Sequence, residues 1–314
     1  MPNRYYSNGK LLITGEYTVL DGALSFALPT KYGQFLTVSE IAEPVILWKS
    51  LDEKNRTWFE ATFNLNDIFH LKEEEKYFSE GILKDNIKLH STLYNILTEA
   101  RKLNPDFLNA TSGYKVETKL TFPKYWGLGS SSTLINNIAQ WAKVDAFKLL
   151  WNSFSGSGYD IACAQNNFPV TYRLKDRIPE VNKVTFNPPF KENLFFVYLN
   201  KKQDSREGIA SYKSVVKQKQ KLIEEVSNIT AELIKCQSLQ NFETLINLHE
   251  TLIADFLETP KVKDKFFPDY FGSVKSLGAW GGDFILATGN QTTPAYFKEK
   301  GYEVVISYDN MILS

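Results

Sequence analysis

The chain lacks a charge surplus of either sign. Its 36 Lys+Arg stand against 36 Asp+Glu, a formal net charge of +0 at pH 7. Proteins held to nucleic acid mainly by phosphate contacts carry a basic excess, so a nucleic-acid partner is not expected. Cysteine is scarce: Cys163 and Cys236 are the two, and no Cys-x-x-Cys pair occurs. Two thiols cannot staple 314 residues, which points to a reducing, cytoplasmic setting. The three histidines, His70, His90 and His249, are too far apart in sequence for a zinc-type pattern. Long apolar runs are missing as well. Residues 194–199 (Leu-Phe-Phe-Val-Tyr-Leu) are among the longest, against roughly 20 needed to cross a bilayer. The first residues carry no apolar signal core, and neither an internal repeat nor a low-complexity linker is seen. Four Asn-x-Ser/Thr sequons (Asn55, Asn109, Asn228, Asn290) carry no meaning in a cytoplasmic chain.

What is present is apolar residue in quantity, 43% of the chain, enough to fill real cores. At roughly 150 residues per domain the length suggests two domains, or one large one. β-branched and aromatic runs with partial alternation predict strands over 10–14, 34–41, 45–49 and 57–64. Clean alternation predicts another over 114–122, and further strands are expected over 170–174, 183–186 and 194–199. Apolar residues at helical spacing predict a helix from Asp85 or Asn86 to about Leu103, stopped by Asn104-Pro105. The charged stretch 71–80 reads as an exposed connection. A second helix is expected over 132–143, two or three amphipathic helices over 205–257, and strands over 284–287 and 302–307 around a helix after Thr293-Pro294. Pro179 and Pro188-Pro189, followed by the shift to long helices, set domains of 1–185 and 186–314.

The most informative segment is 123–133, Pro-Lys-Tyr-Trp-Gly-Leu-Gly-Ser-Ser-Ser-Thr. It follows a strand and opens a helix. Glycines let a backbone approach a ligand closely, successive N–H groups line one concavity, and a helix start adds positive potential. That is a phosphate cradle, and the hydroxyls can add bonds to phosphate oxygens or magnesium. It is not a Walker A loop, since Gly-x-x-x-x-Gly-Lys-Ser/Thr is absent, and Ser132 stands where a dinucleotide fingerprint needs its third glycine. Two more segments accompany it: 8–22, which contains Gly9-Lys10-Leu11-Leu12-Ile13-Thr14-Gly15-Glu16-Tyr17, and 277–284, Leu-Gly-Ala-Trp-Gly-Gly-Asp-Phe.

In this order the segments resemble the GHMP kinase superfamily, which includes galactokinase, homoserine kinase, mevalonate kinase and phosphomevalonate kinase. The first is similar to the family's Pro-Gly-Lys…Gly-Glu motif. The second is similar to its Pro-x-x-x-Gly-Leu-Gly-Ser-Ser-Ala loop, and the third to its Gly-Ala-Gly-Gly-Gly turn. A fourth segment, 156–163 (Gly-Ser-Gly-Tyr-Asp-Ile-Ala-Cys), resembles the stretch carrying the catalytic aspartate, closest to the phosphomevalonate kinase version. The resemblance implies an α+β, two-domain fold: a ribosomal protein S5 domain 2-like N-terminal domain and a ferredoxin-like C-terminal domain, with ATP at their junction. It implies ATP- and Mg2+-dependent phosphoryl transfer to a small-molecule hydroxyl or phosphate, in the mevalonate or isoprenoid pathway. A soluble monomer or homodimer is expected.

Residue by residue, the resemblance makes Asp160 the base and Lys10 the transition-state cation. Gly127, Leu128, Gly129, Ser130, Ser131, Ser132, Gly281 and Gly282 would hold the nucleotide, with Ser131 as magnesium ligand. Glu16, Gly278 and His249 would lie on the substrate side. Lys202, Asp204, Ser205 and Arg206 are more simply a charged turn, and Asp283 has no assigned role. The departures are specific. Asn8 replaces the first motif's proline, Ser132 and Thr133 replace alanines, and Trp280 replaces a glycine and could narrow the cleft. Leu149 stands where mevalonate kinases carry a metal-binding glutamate, leaving Asp145 or a neighbour to substitute. A sugar or homoserine kinase is the nearest alternative. Galactokinase is disfavoured because Gly15-Glu16-Tyr17-Thr18-Val19 lacks the Gly-Glu-His-x-Asp-Tyr sugar motif. A decarboxylase relative or a catalytically silent nucleotide binder is the other alternative; keeping Lys10, Ser131 and Asp160 together argues against silence.

Overall fold

Alternating burial marks strands such as 45–51, 57–64 and 113–120, while others, such as 194–198 and 284–288, are buried throughout. The computed structural model describes residues 2–69, 84–109, 112–201, 205–215, 219–278, 280 and 282–313. Within them the first half runs β1 (Asn3–Thr14), β2 (Ser25–Ile41), β3 (Val45–Leu51), β4 (Thr57–Asn64), α1 (Leu65–Phe69), α2 (Lys84–Leu103), β5 (Gly113–Leu120), α3 (Ser130–Ala142), α4 (Ala146–Ser153) and α5 (Tyr159–Gln165). There follow β6 (Val170–Lys175), β7 (Ile178–Lys183), β8 (Leu194–Tyr198), α6 (Ser205–Ser214), α7 (Lys219–Leu233), α8 (Leu239–Leu257) and α9 (Val262–Phe266). The chain closes with β9 (Val274–Ser276), β10 (Phe284–Thr288), α10 (Thr293–Glu299), β11 (Val305–Ser307) and α11 (Tyr308–Met311). The larger sheet has the order β4-β3-β5-β2-β6-β7, with β1 also paired to β2. It is mixed, because β3 and β5 run parallel. The smaller sheet, β11-β8-β10-β9, is antiparallel. No described helix is long and apolar enough to cross a membrane.

The chain divides into two compact units. The first comprises Met1–Asn8, Tyr32–Lys124 and Gly129–Gln165. Its core gathers Trp48, Phe63, Leu97, Val116, Ile135 and Leu149 from strands and helices alike. Burying each such side chain fully is worth about 1.5–3 kcal/mol. α3 closes on the sheet through a polar seam: Asn137 Nδ2 donates to Gln34 O at 2.9 Å and Ser7 Oγ donates to Asn137 Oδ1 at 2.8 Å.

The second unit comprises Gly9–Lys31, Tyr125–Leu128 and Asn166–Ser314. One apolar cluster packs Tyr17, Tyr212, Val226, Ile253 and Trp280; another packs Val197, Phe267, Tyr270, Ile285 and Phe297. The strand expected over 183–186 is not there. The ladder opposite β6 is Ile178–Lys183, closed by Asp176 and Arg177 at φ 51° and 60°. A two-residue turn with both φ positive matches the twist of a hairpin but prefers Asn-Gly, so this one is silent in sequence. β7 is an exposed edge, and there Pro179 is tolerated. The expected connection over 71–80 lies outside the described residues.

Candidate active site

The glycine loop is shaped by two left-handed residues, Gly127 at φ 70° and Gly129 at φ 90°. Gly129 is the N-cap of α3, which therefore begins at Ser130 rather than Ser132. A glycine cap has no side chain to satisfy the first-turn N–H groups, and no carboxylate stands in that turn. The first-turn N–H groups of Ser130, Ser131 and Ser132 and the positive end of the helix dipole are thus the features able to receive an anion. Ser132 is buried and its Oγ donates to Gly129 O at 2.9 Å, which stiffens the loop. Thr133 Oγ1 donates to Gln34 Oε1 at 2.7 Å. Ser130 is half-buried and Ser131 exposed. Lys10, half-buried on β1, gives its backbone N–H to Leu128 O at 3.0 Å. Lys10 and the loop are thus brought together by a backbone bond, and buried Leu128 anchors the turn.

Asp160 stands in the first turn of α5, which packs against α3 within the first unit. Gly158, at φ 95°, ends the preceding loop and accepts the first helical bonds from Ile161 and Ala162. The Asp160 side chain is half-buried, and its Oδ1 is buried with no hydrogen-bond partner among the described residues. An orphaned carboxylate oxygen is costly unless a ligand group meets it. Leu149 is fully buried in the core, so no ligand replaces the family's glutamate there. Asp145 is committed as the N-cap of α4, accepting from Phe147 N at 2.8 Å and Lys148 N at 3.0 Å. No group of three or more acidic, histidine or cysteine side chains among the described residues could hold a metal. A cleft of about 410 Å3, lined by Pro2, Asn3, Glu40, Tyr114 and Trp141 among others, shares no residue with this constellation.

Glu16 and His249 are found elsewhere than on an open surface. Both are buried, at 1% and 0% exposure. Lys275 Nζ, itself fully buried, donates to Glu16 Oε1, to Glu250 Oε1 at 3.3 Å and to Ser276 O at 2.9 Å. Ser276 Oγ donates to Glu250 Oε2 at 3.2 Å. The other Glu16 oxygen lies 3.2 Å from His249 Nε2, which also accepts from Gly15 N at 3.1 Å. Burial pushes Glu16 up to about 7 against the pull of Lys275, and burial raises Glu250 too. His249 is held below the ordinary histidine value by burial and then by Lys275. His249 Nε2, already accepting from Gly15 N, offers no proton to the carboxyl oxygen facing it, and Glu16 Oε2 has no hydrogen-bond partner among the described residues. The Glu250–Lys275 half of this cluster has no sequence signal beyond a lysine in an apolar strand.

The third motif wraps the same region. Gly278 sits at φ 73° with open space around it, and Gly282 is buried. Gly281, with Lys202 and Asp204, lies outside the described residues, as do the Ser205 and Arg206 side chains. Trp280 does not narrow an open cleft: its side chain is buried in the Tyr17–Tyr212 cluster, and its backbone N–H donates to Tyr17 Oη at 3.0 Å.

No protein-family model and no curated protein sequence matches the chain. Solved structures do. The mevalonate kinase of Methanococcus jannaschii superposes with a TM-score of 0.70 at 17% identity, covering 100% of this chain and 99% of that one. This chain has the GHMP kinase fold. Phosphomevalonate kinase of Streptococcus pneumoniae, in complex with phosphomevalonate and AMPPNP, superposes at 0.68 with 13% identity, covering 99% and 98%. Galactokinase of Lactococcus lactis, complexed with galactose, superposes at 0.65 with 14% identity, covering 100% and 94%. The GHMP kinase architecture therefore extends end to end, as the spread of motifs from residue 8 to 284 implies.

Proposed function

We propose that the protein is a small-molecule kinase moving the γ-phosphoryl group of ATP to an acceptor oxygen, with mevalonate or phosphomevalonate as acceptor. The observation that carries it is the start of α3. A left-handed glycine cap, no first-turn carboxylate and three consecutive serines make a site for phosphate oxygens. The orphaned Oδ1 of Asp160 supports the second half of the reading. Phosphoryl transfer asks mainly for positioning and charge stabilisation. In this reading Gly127, Leu128, Gly129, Ser130 and Ser132 hold the nucleotide phosphates, and Gly278, Gly281 and Gly282 border the bound molecules. Asp160 accepts the acceptor's hydroxyl proton. Lys10 meets the charge that develops on the transferred group.

The donor set fits a magnesium ion carried by the nucleotide's own oxygens, with the exposed Ser131 hydroxyl as protein ligand. When bound it would neutralise the phosphate charge. Glu16 and His249 act in support of the substrate side, since both are buried. Gly15-Glu16-Tyr17 and the stretch 156–163 favour the mevalonate series over sugars. Cytoplasmic action as a monomer or homodimer completes the proposal.

The test is ADP release from MgATP with mevalonate, phosphomevalonate, diphosphomevalonate, homoserine and galactose assayed in parallel. Turnover with a member of the mevalonate series is expected. Turnover with galactose or homoserine alone would overturn the acceptor assignment, and carbon dioxide release would identify a decarboxylase. Silence throughout would overturn the kinase reading for these acceptors.

A further inference from the structure

We infer that Asp283 is a positioning residue whose carboxylate, occupying the space a side chain on Gly127 would fill, seats the glycine loop. The inference rests on the kinase reading of that loop, which gives Asp283 no part. A Cβ built on Gly127 would overlap the carboxyl carbon and both oxygens of Asp283, so the carboxylate lies directly against the Gly127 backbone. Asp283 is itself left-handed at φ 54°. Such a conformation strains most side chains, and aspartate is among the few that tolerate it. It is held there from both sides: Asp283 N donates to Lys201 O at 2.7 Å, and Leu199 N donates to Asp283 O at 2.8 Å.

The neighbouring loop residues are anchored within the same unit. Tyr198 Oη donates to Tyr125 O at 3.2 Å, and the Trp126 ring meets Phe284 edge-on at 5.4 Å. Lys10 N holds Leu128 O at 3.0 Å. Burial and then the Asp283 charge push the Tyr198 phenol up to about 12, which keeps it a donor. Four consecutive residues, 125–128, are therefore fixed to β1 and the adjoining ends of β8 and β10. Asp283 is the anchor at the glycine whose φ turns the chain toward α3. A carboxylate touching bound phosphates would repel them. Its use is to brace the loop from behind, which couples the third motif to the phosphate cradle.

The test is a double-mutant cycle, with Asp283→Gly chosen because glycine accepts φ 54° without strain. In nucleotide-free protein, Asp283→Gly should speed amide exchange in the peptide spanning residues 124–130 by about tenfold. It should weaken MgATP binding by about fivefold with little change in Tm, and Asp283→Asn, which keeps the shape, should recover most of that loss. Gly127→Ala should weaken MgATP by about tenfold or more in the wild-type background. That loss should shrink by at least about threefold beside Asp283→Gly, because room has been made. Additive losses, or exchange unchanged in Asp283→Gly, would overturn the seating role. Asp283→Asn abolishing magnesium dependence would overturn it in favour of a metal ligand. Wild-type protein that binds no MgATP would break the kinase reading alone, and the nucleotide-free exchange would still decide the seating.

Discussion

The loop at residues 127–132 and the cluster around Lys275 answer opposite problems with opposite chemistry. The loop exposes backbone donors and spends no charged side chain on them: its cap is a glycine and its first turn has no carboxylate. The cluster buries two glutamates, a lysine and a histidine at 0–1% exposure and satisfies them mostly with each other. The first arrangement is poor at holding itself together and good at receiving an anion. The second is costly to assemble, and once assembled it rigidly joins the Gly15–Tyr17 turn, α8 and β9. In the proposed reading the Gly-Glu-Tyr motif acts on the fold, whereas the Gly-Leu-Gly-Ser motif acts on a ligand.

Mutations separate the two. The largest effects come first. Lys275→Met should destabilise the protein by about 4 kcal/mol in urea unfolding, because it strands two buried carboxylates. Adding Glu16→Gln in the same chain should restore part of that loss. A lysine variant of ordinary surface cost would remove the cluster from the account. Asp160→Asn should lower kcat by about a thousandfold, with MgATP affinity kept, since a base acts mainly in the transition state. Near-normal turnover would reassign the base. Ser131→Ala should raise the KM for MgATP by about tenfold and leave the urea midpoint in place, the loss being one ligand interaction of about 1.4 kcal/mol. A shift in unfolding without a shift in KM would make Ser131 a fold residue like those of the cluster.

A final effect is in pH. Glu16 is raised from 4.5 to about 7, so the folded protein holds a proton that the unfolded chain releases between these values. Its contribution to stability therefore falls as pH rises through 4.5–7, by about 1.4 kcal/mol per unit at most, and is level above. His249 is lowered, so its contribution is full above 6.5 and is lost as pH falls below it. The two oppose each other below 6.5. Glu16→Gln removes the first, and its stability relative to wild type should grow from pH 5 to 7. A difference independent of pH would place the proton elsewhere.

Much of this was legible in the sequence because the motifs are local. Gly127, Gly129 and the serines announce a turn into a helix within seven residues. Within that motif the start of α3 differs by two residues from the expected one, since a three-serine run offers several N-caps and the structure uses Gly129. The cluster was not legible. Lys275 and Glu16 meet across 259 positions, and an isolated lysine in a strand is ordinarily solvated. β9, three residues long, gives too short a pattern to detect. Trp280 looked like a cleft residue because it replaces a glycine, yet a large apolar side chain next to Tyr17 and Tyr212 gains more by burial. Asp283 stayed silent because Gly127, against which its carboxylate lies, has no side chain to signal a pairing.

One measurement tests the division of labour most directly: amide hydrogen exchange of the wild-type protein with and without MgATP. Protection should appear in the peptides spanning 127–133 and be absent from those carrying Glu16, His249–Glu250 and Lys275–Ser276, which are already closed. Nucleotide-dependent protection at the buried cluster, or none at the loop, would contradict the account.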